Sequence, residues 1–280
     1  SRTNNRKKFG VVAIQSQAGA ENAMGGLAQA FADNIPILVL PGGIPLKQMG
    51  VRPNFSVVQN YRGLVKHVEA IYKLEEVGNV MRRAFHALRN GPPGPVVVEM
   101  TSDVCSQELP NGVQNYHSPR LTLQMPANGD VKNAVKFLLG AEKPLIWAGR
   151  GVLFSGGTKE LKELAELTSI PVFCTMPGKS AFDERHPLSL GAGSGATTLP
   201  AHQWIKDCDV LLALGSSLTR TLYGQPIPNG KILIQNSNNS DDINKDESVD
   251  IGLEGDAKLV LQAIIEEVKA QVGEERVKDF

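Results

Sequence analysis

The chain has 280 residues, 29 Lys/Arg against 29 Asp/Glu, and 41% apolar with 21% charged residues. Zero formal charge speaks against general affinity for nucleic acid or anionic membranes, and no apolar run approaches the roughly 20 residues that span a bilayer. Cys105, Cys174 and Cys208 form no CxxC pair, which points to a reducing, cytoplasmic setting, and the five histidines show no zinc-ligand spacing. The zero charge conceals an asymmetry, with 12 Lys/Arg against 6 Asp/Glu in residues 1–102 and 16 against 21 in residues 129–280. Two domains with differently solvated faces account for it; a basic surface that meets an anionic ligand or an acidic partner is the functional alternative.

Taken in chain order, Ser1-Arg2-Thr3-Asn4-Asn5-Arg6-Lys7-Lys8 is basic, with neither an initiator Met nor a signal-peptide apolar region behind it, so the chain reads as beginning inside a longer polypeptide. Val11-Val12-Ala13-Ile14 is short enough for a buried strand. After the small polar turn Gln15-Ser16-Gln17-Ala18-Gly19, the residues Ala20, Ala23, Met24, Leu27, Ala28 and Phe31 repeat at helical spacing. A second apolar run, residues 35–40, stops at Pro41-Gly42-Gly43. This strand–turn–helix–strand order implies parallel strands, with the loop after the first strand as a ligand position. Residues 42–60 read as a long loop with one or two short turns. Val77, Val80, Met81, Ala84, Phe85 and Leu88 mark an amphipathic helix closed by Asn90-Gly91-Pro92-Pro93-Gly94, and residues 95–100 a buried strand.

Residues 103–128 lack periodicity and read as a linker between a first domain at 1–102 and a second at 129–272, with a charged, frayed tail at 273–280. The second domain opens on a helix capped by Asp130. A strand at 144–148 leads into the tight turn Gly149-Arg150-Gly151, then a helix at 157–169 and a strand at 171–175. A long loop containing Gly191-Ala192-Gly193-Ser194-Gly195 precedes a helix near 200–207, strands at 210–214, 232–235 and 249–253, and a last helix capped by Asp256. Strands alternating with helices predict an α/β fold with doubly wound parallel sheets.

The chemical signals are few. Gly149-Arg150-Gly151 follows a strand, but Phe154 stands where a GxGxxG fingerprint needs its third glycine. Backbone amides at residues 149–151 and 215–217, with the helix start at Asp256, could line one nucleotide crevice; equally, the glycines could only make tight turns and Gly215-Ser216-Ser217 only cap one. Asp183-Glu184-Arg185-His186 reads as solvated surface. No GxSxG, HExxH or GxxxxGK[ST] pattern is present.

Beyond these patterns, the chain resembles the thiamine-diphosphate-dependent superfamily of acetolactate synthases and 2-oxoacid decarboxylases. Ser1-Arg2 looks like the end of that family's GYAR segment. Gln15-Ser16-Gln17-Ala18-Gly19-Ala20-Glu21-Asn22-Ala23 is similar to its SGPGATNA loop, and Ala30-Phe31-Ala32-Asp33-Asn34-Ile35-Pro36 to its AYMDSIP stretch. Ala84-Phe85 and Gly91-Pro92-Pro93-Gly94-Pro95-Val96 resemble AF…GRPGPV, and Lys66 falls near a lysine upstream of it. The central domain is matched by Ala141-Glu142-Lys143-Pro144-Leu145, Gly178-Lys179-Ser180-Ala181-Phe182, His186-Pro187-Leu188, Asp209-Val210-Leu211 and Gly255-Asp256-Ala257.

The resemblance implies the back half of a pyrimidine-binding domain followed by a Rossmann-like central domain. It implies thiamine diphosphate and Mg²⁺ as cofactors of the intact enzyme, a small 2-oxoacid as substrate and a dimer or tetramer as assembly. The reaction would be addition to a 2-oxoacid carbonyl, loss of CO₂, then protonation or attack on a second carbonyl. Cofactor-binding residues carried over are Gln17, Ala18, Gly19 and Asn22 beside the pyrimidine, with Gly149, Arg150, Gly151, Gly215, Ser216, Ser217 and Asp256 in the central domain. The family's catalytic Glu would lie before Ser1 and its GDG…N metal motif after residue 280, so no catalytic or metal residue is assigned and the isolated chain is expected to be inactive. Two departures stand out. Gln17-Ala18-Gly19 replaces Gly-Pro-Gly, and the flavin-associated GxRFDDR segment reads Gly215-Ser216-Ser217-Leu218-Thr219-Arg220-Thr221, without the first Arg and both acids, which argues against FAD. The competing reading is a non-catalytic nucleotide-binding or assembly module built on the crevice around Gly149, Gly215 and Asp256.

Overall fold

A computed structural model describes residues 8–108 and 116–272, so the basic N-terminal residues with Ser1-Arg2 and the tail from residue 273 lie outside what is described. The chain divides into two compact units, the break falling at residues 122 and 123.

In the first unit the order is β1 (Gly10–Ile14), α1 (Ala18–Ala32), β2 (Ile37–Pro41), α2 (Val57–Tyr61), β3 (His67–Ile71), α3 (Val77–Arg89), β4 (Val96–Met100) and the single turn α4 (Ser102–Cys105). The four strands pair in parallel in the order β1-β2-β4-β3. Alternation along β4 explains the two faces: Val96 and Val98 pack with Ile71, Val80, Ala84 and Leu88, while Val97 packs with Ala20, Leu27, Val57 and Tyr61. The structure corrects one expectation here. β1 is not buried: it is an edge strand with β2 on one side only, and Val11 and Val12 are 58% and 43% exposed. It also adds β3, whose polar start His67-Val68-Glu69 suits the opposite edge, where Arg83 of α3 clasps the Glu69 carboxylate. Lys66, just before β3, donates from Nζ to the carbonyls of Ala87 and Asn90, satisfying the C-terminus of α3.

The second unit runs α5 (Asn128–Gly140), β5 (Leu145–Ala148), α6 (Arg150–Ser155), α7 (Thr158–Thr168), β6 (Val172–Thr175), β7 (Ser189–Gly193), α8 (Leu199–Asp207), β8 (Val210–Leu214), β9 (Ile232–Ser237), β10 (Ile251–Glu254) and α9 (Ala257–Val272). Its six strands are all parallel, in the order β10-β9-β8-β5-β6-β7. Ile146, Ala148, Leu212, Leu214 and Ile234 face one way, against Val135, Leu161, Leu164, Leu261 and Ile264 of the helices. Leu145, Trp147, Phe173, Leu211 and Ala213 face the other way, against Ala201 and Ile205 of α8. This is the doubly wound α/β architecture that the alternation predicts. Three local details differ from expectation. The Gly149-Arg150-Gly151 turn is the start of α6; Asp130 lies in the first turn of α5, whose N-cap is Ala127; and part of the glycine-rich loop pairs with β6 as β7.

Candidate functional site

Strand order determines where ligands are expected in each unit. In the second unit the chain builds outward from β5 through β6 to β7 and then returns to place β8 on the other side of β5. Such a reversal opens a crevice at the C-terminal ends of the two central strands. Gly149 follows β5 and Gly215 follows β8, so the sequence-derived candidates do come together there. They close the crevice on themselves, however. A Cβ on Gly149 would lie 2.3 Å from the Gly215 carbonyl oxygen, and one on Gly151 2.6 Å from the Gly215 Cα. Gly215 itself takes φ +59°, a left-handed conformation that favours glycine. Their amides are engaged as well: Gly149 N–H donates to Leu214 O (2.8 Å), Gly151 N–H to Gly215 O (2.8 Å) and Gly215 N–H to Asn236 Oδ1 (3.1 Å). These glycines allow two loops to touch.

The remaining candidates of this crevice have local partners too. Ser217 Oγ lies 2.8 Å from Thr219 Oγ1, and Ser216 Oγ accepts from Leu218 N. Arg150 lies over the Phe154 ring, 5.6 Å from its centroid. Asp256, 5% exposed, accepts at Oδ1 from the Lys258 and Leu259 amides as the cap of α9, and its own N–H donates to Gln124 O. A residue that sequence reading missed holds the arrangement together. Asn236, fully buried at the end of β9, donates to Leu253 O and Gly255 O while accepting from Gly215 N–H. Its only sequence signal is an amide where an apolar strand ends.

In the first unit, the candidates sit on the loop after β1 and the first turns of α1. Gln17 is the N-cap of α1 at φ 55° and ψ −113°, an unusual conformation for a residue with a side chain. Its Oε1 accepts from Phe55 N–H at 2.9 Å, and its carbonyl accepts from Glu21 N–H. The loop is tied down at two further points. Gly42 N–H donates to Ile14 O (2.9 Å), and the buried Tyr61 hydroxyl donates to Ala20 O. Gly19 folds back so closely that a Cβ there would lie 2.8 Å from the Gln15 Cβ. Ala18, Glu21 and Asn22 are exposed, and no side chain caps the helix, whose first-turn amides and dipole therefore face outward at the C-terminal edge of the sheet. Gln17, Ala18, Gly19 and Asn22 are thus gathered at the N-terminal end of α1.

Other reactive groups serve the structure. Burial pushes the Cys174 thiol up to about 11 and raises Cys208 as well, so neither is a ready nucleophile. Asp183 is held at about 2 by its hydrogen bonds to exposed Arg185, while His186 pairs with Glu166. Among the described residues no group of three or more His, Cys, Asp or Glu could hold a metal ion, and no helix is long and apolar enough to cross a membrane.

Comparison with known proteins matches both units. The family described as thiamine pyrophosphate enzyme, N-terminal TPP binding domain, covers residues 2–70, and the thiamine pyrophosphate enzyme central domain covers residues 131–264. A probable acetolactate synthase large subunit from Methanococcus aeolicus is 33% identical over 273 residues, covering 93% of this chain and 45% of that protein. The acetolactate synthase isozyme 3 large subunit of Escherichia coli is 30% identical, covering 92% of this chain and 46% of that protein. A benzoylformate decarboxylase structure from Polynucleobacter necessarius shares the fold, with TM-score 0.80, 22% identity, and coverage of 95% of this chain and 51% of that one. The chain spans about half the length of the relatives it matches.

Proposed function

Because this chain belongs to the thiamine pyrophosphate enzymes, we propose that its first unit forms one wall of a thiamine diphosphate site in an acetolactate synthase-like decarboxylase or carboligase acting on 2-oxoacids. The observation that carries this reading is the loop after β1. Gln17, Ala18, Gly19 and Asn22 lie at the C-terminal edge of the sheet, fixed from behind by Phe55, Gly42 and Tyr61 and open in front. When bound, thiamine diphosphate supplies the carbanion that adds to the 2-oxoacid carbonyl and takes up the electrons released with CO₂.

The donor set fits the pyrimidine part of that cofactor. Uncapped amides of α1 and the exposed Asn22 amide offer hydrogen bonds to a flat polar ring, and the strained, anchored backbone gives a wall that does not need ordering on binding. The set does not fit the metal-bound diphosphate, since the described residues hold no carboxylate cluster for Mg²⁺ and the second unit's glycine amides are engaged internally. Mg²⁺ and the diphosphate then depend on groups beyond these residues, supplied in the intact enzyme by another domain and a second subunit.

This reading predicts that the isolated chain binds thiamine diphosphate only weakly and does not turn over pyruvate. Calorimetric titration of the chain with thiamine diphosphate and Mg²⁺ tests this. Weak binding outside the micromolar range is expected, and a micromolar dissociation constant would overturn it.

A further inference from the structure

Glu99 is a buried carboxyl that the proposed chemistry leaves unused. It is 3% exposed, near the C-terminal end of β4, and by alternation shares the face of Val97, which packs against Ala20 and Tyr61. Its Oε2 is shielded and has no hydrogen-bond partner. Buried carboxyls without partners are costly, and where they persist they tend to have a task.

What lies over Glu99 indicates that task. Gly43 passes so close that a Cβ would lie 3.2 Å from the Glu99 Cγ and 3.0 Å from the Thr101 Cα. The Gly42–Gly43 segment, where Gly42 still pairs in parallel with Met100, is also the joint between two parts of the sheet edge. Gly42 N–H donates to Ile14 O, where the loop of Gln17 begins, and Gly43 N–H donates to Met100 O (2.7 Å), next to Glu99. Among the described residues, the ionisable groups that sense Glu99 are Tyr61 of α2 and Tyr72 after β3, both raised first by burial and then by the carboxylate. Arg62 and Glu69 act on Tyr72, and from β3 the paired neighbour is Ala70. Among the described residues, none of the groups packed on Glu99 is a cation bonded to it.

We propose that Glu99 is a positioning residue for the cofactor-facing loop, keeping the Gly42–Gly43 joint seated while it carries its proton and unseating it on ionisation. This rests on the wall reading only in naming what the loop faces. Burial raises the Glu99 carboxyl above its ordinary 4.5, so the seated form retains the proton where a hydrated carboxyl would release it. Opening the joint hydrates the group. Above the ordinary value, each pH unit then favours the open form about tenfold more, until the seated form also ionises.

Hydrogen–deuterium exchange of the full chain between pH 5 and 8 tests this at the Gly42 and Gly43 amides, after division by intrinsic exchange rates. Protection should fall by about tenfold per pH unit over part of the range, and remain flat in Glu99→Gln. Because a buried amide could disturb packing by itself, Glu99→Met serves as a second non-titrating variant, also expected to be flat. A flat wild type, or the same fall in both variants, would overturn the proposal. The readout needs no cofactor: a pH-dependent joint together with failure of thiamine diphosphate to approach the loop would sink the wall reading and leave this one standing.

Discussion

Substitution at Gln17 separates strain from anchoring in the loop after β1. The residue holds φ 55° and ψ −113°, which costs a side-chain-bearing residue about 1–3 kcal/mol. Against that, Oε1 accepts from Phe55 N–H at 2.9 Å, a bond with a net contribution of about 0.5–1.5 kcal/mol. Gln17→Ala loses the bond, leaves a half-buried amide and retains the strain, so it should destabilise by about 1–2 kcal/mol. Gln17→Gly loses the same bond and about 0.5–1 kcal/mol of chain entropy, but removes the strain. The glycine variant should therefore be more stable than the alanine variant by about 1 kcal/mol and lie near the wild type. Urea unfolding followed by hydrogen–deuterium pulse labelling at residues 10–41 reads this unit, since Trp147, Trp204 and Tyr223 all lie in the other. If Gln17→Gly is no more stable than Gln17→Ala, the loop is unstrained and this account of its rigidity is wrong.

Three further outcomes follow from the same geometry. Lys66→Met removes the ammonium that satisfies the end of α3 and should lower stability by about 2–3 kcal/mol, measured by chemical denaturation. Asn236→Leu strips partners from Gly215 N–H, Leu253 O and Gly255 O and should cost at least about 3 kcal/mol in the second unit, seen as loss of the tryptophan-reported transition. The Arg83 hydrogen bond depresses the Glu69 carboxyl below its ordinary 4.5, so the stabilisation is present above that value and is lost as pH falls through the lower, folded-state one. Acid unfolding profiles should therefore be shallower in Glu69→Gln, and an unchanged acid limb would count against the pair.

Much of the fold was legible because its buried elements carry strong patterns. The run Val96-Val97-Val98 is apolar on both faces and becomes a central strand, and Asp256 ahead of an apolar helical stripe becomes its cap. The edges were not legible. His67-Val68-Glu69 and Ser189-Leu190-Gly191 are strands by virtue of a neighbour's hydrogen bonds, which local composition does not encode. β1 failed the other way, since an apolar run says that a strand can be buried and not what covers it. At the candidate site, only likeness to a family points to residues 17–22. The meaning of Gly149 and Gly215 was not legible, because their contact joins residues far apart in sequence, and Asn236 has no motif at all.

In the proposed function the loop after β1, and not the glycine crevice of the second unit, faces the cofactor. Deuterium uptake of the chain with and without millimolar thiamine diphosphate and Mg²⁺ tests it directly. Slowed exchange is expected at residues 15–22, with unchanged exchange at residues 149–152 and 215–218. Slowed exchange at the glycine turns with an unaffected first-unit loop would contradict the proposed function.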